Sequence, residues 1–126
     1  MSCSGLRYTK ELDSIRANIK NFGDIKLIRG TIKNNLEQYG VHLLEGIFGV
    51  VSFQVESILY IPSKHSSLIL RNKDNSLINI DALGEAPNNV QFDFWSNKKR
   101  FHTEVNDYFS MFRRTLYYFI KIYLQS

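Results

Sequence analysis

The sequence predicts an α+β fold: a single antiparallel β-meander of four to five strands, with an N-terminal helix and a long C-terminal helix packed on one face. Three observations carry this prediction. Apolar residues recur at spacings of three and four near both ends of the chain, they alternate with period two in the middle, and Gly, Pro and Asn punctuate the stretches between. The 126 residues, 44% hydrophobic and 13% aromatic, suffice for one domain with a real core and exclude disorder as the default state. The chain 1–126 reads as one domain, with 1–6 a flexible N-terminus and 97–126 the closing helix.

The first helix is expected from Arg7 to Phe22, because Tyr8, Leu12, Ile15, Ile19 and Phe22 fall on one stripe and charged residues cover the rest. Gly23 then stops it. Asp24–Thr31 reads as a strand or as the start of a second helix through Ile32, Leu36 and Tyr39; the favoured reading is a short helix ending at Tyr39-Gly40, with Ile25–Arg29 before it as a strand. From Val41 the period changes to two. One strand is expected over Val41–Glu45 and a second over Val50–Ile61, with Gly46 and Gly49 between them as a turn or bulge and Pro62 as the stop. Ser67–Arg71 and Ser76–Ile80 flank Asn72-Lys73-Asp74-Asn75, four residues suited to a tight hairpin. Residues 81–89 read as a surface loop, and Val90–Trp95 as a last strand with Val90, Phe92 and Phe94 inward.

The closing helix is expected over Phe101–Leu124. Phe101, Val105, Tyr108, Phe112, Leu116, Phe119 and Tyr123 make its stripe, and Tyr117, Tyr118 and Ile122 spread apolar surface around its last two turns. The basic triplet Lys98-Lys99-Arg100 would oppose the macrodipole at the start of such a helix. That conflict moves the start toward Thr103 as N-cap, with Glu104 and Asp107 in the first turn.

The formal charge of +4 and a pI near 9.2 are a mild positive bias, compatible with phosphate-bearing partners or anionic lipid but not diagnostic of them. Cys3 is the one cysteine, which excludes an intrachain disulfide and fits a cytoplasmic compartment. No signal peptide is visible, and the apolar run Val41–Ile61 contains His42, Glu45, Gln54 and Glu56, so buried sheet is expected and not a membrane span.

The linear pattern holds no catalytic signature. His42, His65 and His102 lie in different elements without metal-ligand spacing, so no metal is expected. His65 stands beside Ser66 and Ser67, but neighbours in sequence rarely build an activated nucleophile. Glu104 and Asp107 would share a helical face for a reason of helix polarity, and Asp81 and Glu85 lie in a loop. No G-x-S-x-G elbow, Walker loop or G-x-G-x-x-G turn occurs, so no cofactor is implied.

Function is therefore read from what the closing helix needs. One sheet covers a third to a half of a helix, so Leu116–Leu124 is expected to seek a partner. The leading expectation is a non-catalytic binding or assembly protein that self-associates, or docks on a protein partner, through Arg113, Arg114, Tyr117, Tyr118, Phe119 and Tyr123. The alternative is a nucleic-acid-binding domain that uses Trp95, Lys98, Lys99 and Arg100, extended to Arg113 and Arg114. A small-ligand or enzymatic pocket between sheet and helices is a further alternative, since such a pocket leaves no linear signature. Attachment to a membrane surface is disfavoured by Glu104 and Asp107.

Overall fold

Six strands form one mixed sheet in the computed structural model, which describes residues 9–33, 35–85, 90–105, 114, 116, 117, 120 and 121. A short 3-10 turn, Lys10–Leu12, leads into helix α1, Asp13–Phe22. Strand β1, Ile25–Ile32, is followed by helix α2, Leu36–Phe48. Then come β2 (Val55–Ile61), β3 (Ser66–Asn72), β4 (Leu77–Ala82), β5 (Val90–Ser96) and β6 (Arg100–Val105). The strand order is β2-β3-β4-β1-β5-β6.

The first strand of the chain lies inside the sheet, parallel to β4 and antiparallel to β5, and the pairs β2–β3, β3–β4 and β5–β6 are antiparallel. Helix α2 carries the chain from β1 to the edge strand β2, and two hairpins bring it back to β4 beside β1. Alternation within each strand sorts side chains onto two faces. Ile28, Ile78, Ile80, Phe92 and Phe94 point to the helices and are fully buried with Leu43 and Ile47 of α2. The other face carries Leu27, Arg29 and Thr31 of β1 opposite Trp95, Asp93 and Gln91 of β5.

One glycine is required by backbone geometry and another marks a close approach. Gly23 ends α1 at φ 106°, a conformation other residues rarely adopt, and a Cβ there would lie 2.6 Å from Asn97 Oδ1. Gly30 faces α2, where a Cβ would meet the Leu43 side chain at 3.4 Å, so the missing side chain lets the helix sit close to β1. Edge strand β2 is apolar on both sides: Ile58 is 64% and Leu59 55% exposed.

The single antiparallel meander closed by a long helix is thus corrected to a mixed sheet with two helices. The strand over Ile25–Arg29 exists and extends to Ile32, whereas the expected strand Val41–Glu45 is part of α2, which runs through Gly40 and Gly46. There the apolar residues Leu36, Tyr39, Leu43, Leu44, Ile47 and Phe48 follow helical spacing, and β-branching at Val41 and Ile47 did not override it. Val50–Gln54 is not strand; β2 begins at Val55.

The largest correction is at Phe101. Residues 100–105 form β6, paired with β5 across the turn Ser96–Lys99, so Thr103 is a strand residue opposite Phe92 and not a helix cap. Phe101 and Val105 lie four apart, a spacing that fits one helix face and equally one strand face, since period two also places positions i and i+4 together. The basic triplet therefore leads into a strand, with Arg100 as its first residue, and its conflict with a helix dipole vanishes. Arg114, Leu116, Tyr117, Ile120 and Lys121 are helical, and Tyr108, Phe112, Phe119 and Tyr123 lie outside the described residues. Among the described residues no helix is long and apolar enough to cross a membrane.

Candidate functional site

A cleft of about 540 Å³ opens between the sheet and the ends of both helices, at the end of the sheet where β1 starts. Three chain segments converge there. Gly23 turns the chain out of α1, so Asp24 immediately precedes β1 and Lys26 is its second residue. Helix α2 ends with Val50 and Val51 N–H groups donating to the Ile47 carbonyl at 2.9 and 3.0 Å, which wraps the chain back over the sheet. Hairpin β3–β4 supplies the third wall.

The hairpin and the segment after α2 are tied together. Gln54 N–H donates to Asn72 Oδ1 at 2.8 Å and Lys73 N–H to the Gln54 carbonyl at 3.1 Å. Within the turn, Asp74 Oδ1 accepts from the Ser76 hydroxyl at 2.6 Å, the Ser76 N–H at 2.9 Å and Asn72 Nδ2 at 2.9 Å. These bonds, the Ser76 hydroxyl foremost, hold the Asp74 carboxyl below its ordinary value of 3.8. Asn75 takes the left-handed conformation, φ 71°, that closes the turn.

The result is a cleft with an apolar base of Ile28, Val51 and Phe53 and a polar rim of Asp24, Lys26, Asp74 and Ser76. The Ser76 hydroxyl is buried and committed to Asp74, so the carboxylates of Asp24 and Asp74 accept and the Lys26 ammonium donates; a small molecule rich in hydroxyls can be matched along that rim while its carbon skeleton lies on Phe53. An ionised Asp74 accepts hydrogen bonds and does not serve as an acid near neutral pH.

A smaller depression of about 340 Å³ lies at the opposite end of the sheet, lined by Asn35, Lys64, His65 and Glu85 among others. His65 Nε2 is 3.9 Å from Asp81 Oδ1, too long for a hydrogen bond, and the Ser67 hydroxyl donates to the same carboxylate. That commitment of Ser67 to Asp81 leaves no Ser67–His65 couple.

The remaining sequence candidates divide. Trp95, Lys98, Lys99 and Arg100 share the β5–β6 hairpin, with the Arg100 guanidinium carbon 5.3 Å from the Trp95 ring centroid. Asp93 Oδ1 accepts from Arg100 Nη2 at 2.8 Å and meets His102 Nδ1 at 2.8 Å. Arg114 is elsewhere, donating to Asp13 Oδ2 of α1 at 2.8 Å. Tyr117 is 71% exposed. Arg113, Tyr118, Phe119, Tyr123 and Asp107 lie outside the described residues. Glu104 pairs across strands with Gln91. Among the described residues no group of three or more His, Cys, Asp or Glu could hold a metal ion. Asp24, Lys26 and Asp74 were not foreseen, because nothing in the linear order connects positions 24–26 with 72–76.

No protein-family model and no curated protein matches this sequence. Solved structures do share its fold. One is a putative myo-inositol dehydrogenase from Sinorhizobium meliloti, with TM-score 0.67 and 12% identity over 82% of this chain and 41% of that one. A myo-inositol 2-dehydrogenase from Lactobacillus plantarum aligns with TM-score 0.69 and 12% identity, over 82% of this chain and 41% of that one. GenD2 from gentamicin A biosynthesis, solved with NAD, gives TM-score 0.70 and 8% identity over 80% of this chain and 38% of that one. This chain thus spans about two fifths of the length of the chains it matches, and at such identities the likeness is one of fold.

A dinucleotide pyrophosphate is cradled by a glycine-rich strand-to-helix turn in a parallel sheet. Here the turn from β1 to α2, residues 33–35, has no glycine, and nearby Gly30 and Gly40 are filled by Leu43 and Leu36. Among the described strands only β1 and β4 pair in parallel. The described residues do not fit the dinucleotide.

These findings correct the leading expectation of a protein-binding homodimer or other assembly protein working through an aromatic C-terminal helix. The helix is expected to begin between Phe101 and Thr103, where the chain is strand, and the fold is one shared with inositol dehydrogenases.

Proposed function

We propose that this domain binds a small polyhydroxylated molecule, such as a cyclitol or hexose, in the cleft between β1, the end of α2 and the β3–β4 hairpin. The observation that carries the reading is that Asp24, Lys26 and Asp74 line, together with Phe53, a space of about 540 Å³, the size range of small-molecule sites. The fold likeness supports it, because one of the similar structures is a scyllo-inositol dehydrogenase with NAD(H) and scyllo-inositol bound.

Calorimetric titration with myo-inositol, scyllo-inositol and glucose tests it, together with amide chemical-shift mapping. Shifts should gather at residues 24–26, 52–53 and 72–76, and Lys26→Met should weaken binding about tenfold, the loss of one charge-assisted hydrogen bond. Shifts that scatter over the surface, or affinity unchanged in Lys26→Met, would refute the assignment.

A further inference from the structure

Beyond the cleft, the β5–β6 hairpin presents cations and the chain's one tryptophan on a fixed mount. Trp95 and Arg100 are cross-strand partners on the face away from the helices, with the guanidinium over the ring. In the adjoining row, Arg29, Asp93 and His102 lie side by side on β1, β5 and β6. Arg29 thus stands diagonal to Trp95, within reach of a ligand on the ring.

The turn that carries Lys98 and Lys99 is bound at both ends. Their N–H groups donate to Ser96 Oγ at 3.0 and 2.9 Å, and that hydroxyl donates to the Phe22 carbonyl at 2.7 Å. Asp24 N–H donates to Asn97 Oδ1 at 2.9 Å and Asn97 N–H to the Asp24 carbonyl at 3.1 Å. The backbone under the lysines is held against the α1–β1 junction while both side chains are exposed. Asp93, shared between Arg100 and His102, and Asp24, bonded through its backbone to Asn97, are the acids beside this group, and against Arg29, Lys98, Lys99 and Arg100 they leave the corner a positive surplus.

We propose that this corner binds single-stranded nucleic acid, with a base stacked on the Trp95–Arg100 platform and neighbouring phosphates on Lys98, Lys99 and Arg29. Stacking needs an unpaired base, and a sheet surface with one planar platform offers no element to enter a duplex groove. Membrane lipid lacks the aromatic base that the platform fits.

The single tryptophan makes the test direct. Oligo(dT) of about twenty nucleotides should quench Trp95 fluorescence, with a log–log salt slope of roughly −2 to −3 for three to four phosphate contacts. Lys98→Ala with Lys99→Ala should lower that slope by about 1.4, and Trp95→Leu, followed by anisotropy of labelled oligonucleotide, should weaken binding about tenfold. Circular dichroism confirms that the variants fold. Binding absent at low salt, insensitive to salt, equal for duplex of the same length, unchanged in the lysine variant, or seen only with anionic vesicles would overturn the proposal.

Discussion

Replacing Gly30 with Val should drive helix α2 off the sheet, and the size of the effect follows from one contact. A Cβ at position 30 would lie 3.4 Å from Leu43 Cδ2, 3.5 Å from Cδ1 and 3.6 Å from Cβ. Alanine fits with a small adjustment and lowers the entropy of the unfolded chain, so Gly30→Ala should change stability by no more than about 1 kcal/mol. The two additional methyls of Val must enter the space of Leu43, which is fully buried; overpacking of this kind costs roughly 1–3 kcal/mol. Leu43→Ala alone should cost about 2–5 kcal/mol through its cavity. In the double variant the Val methyls occupy part of that cavity, so the two losses should fall short of their sum by about 1–2 kcal/mol. Urea unfolding followed by circular dichroism measures all four corners of the cycle, and each kcal/mol should move Tm by about 4 °C for a chain of this length. Additive losses, within about 0.5 kcal/mol, would refute the seating of α2 on Gly30. The end of α2 supplies Val51 to the cleft, so Gly30→Val should also weaken ligand binding where Gly30→Ala does not.

Two other outcomes are expected. The Asp74 carboxyl is held below its ordinary value, so its contribution to stability is complete above about pH 3.8 and is lost as the pH falls through the lower folded-state value. Acid unfolding profiles should therefore show Asp74→Asn less sensitive than the parent below about pH 4, and identical profiles would refute the role of its turn bonds. On the edge strand, Leu59→Lys should leave unfolding unchanged within about 0.5 kcal/mol, because the side chain is 55% exposed. It should also reduce light scattering on heating, since an apolar edge invites pairing between chains; equal scattering would show that β2 does not drive association.

Local signals were legible where one period or one turn residue decided the structure. Gly23, Pro62 and the Asn72–Asn75 turn were read correctly, as were the inward positions Val90, Phe92 and Phe94 and the body of α1. Where a short segment satisfies two periods, local pattern does not decide between helix and strand. Phe101 and Val105 fit helix or strand alike, and Arg100–Val105 became β6 because β5 lay beside it with unpaired backbone groups to satisfy. The Val41–Glu45 segment looked like strand by its β-branched start, yet it extends a helix whose apolar stripe packs on Gly30.

The sequence by itself determined which residues are apolar, where turns form and that no linear catalytic or dinucleotide motif is present. Those properties follow from side-chain chemistry and backbone preference over a few residues. The tertiary structure alone decided that β1 lies inside the sheet beside β4, because pairing between residues fifty positions apart depends on competition among all the strands for edges and for cover by helices. The same long-range pairing put Asp24 and Lys26 opposite Asp74 and made a cleft from segments that share no local pattern. It likewise turned a basic triplet before a supposed helix into one corner of a hairpin, with Arg100 lying on Trp95.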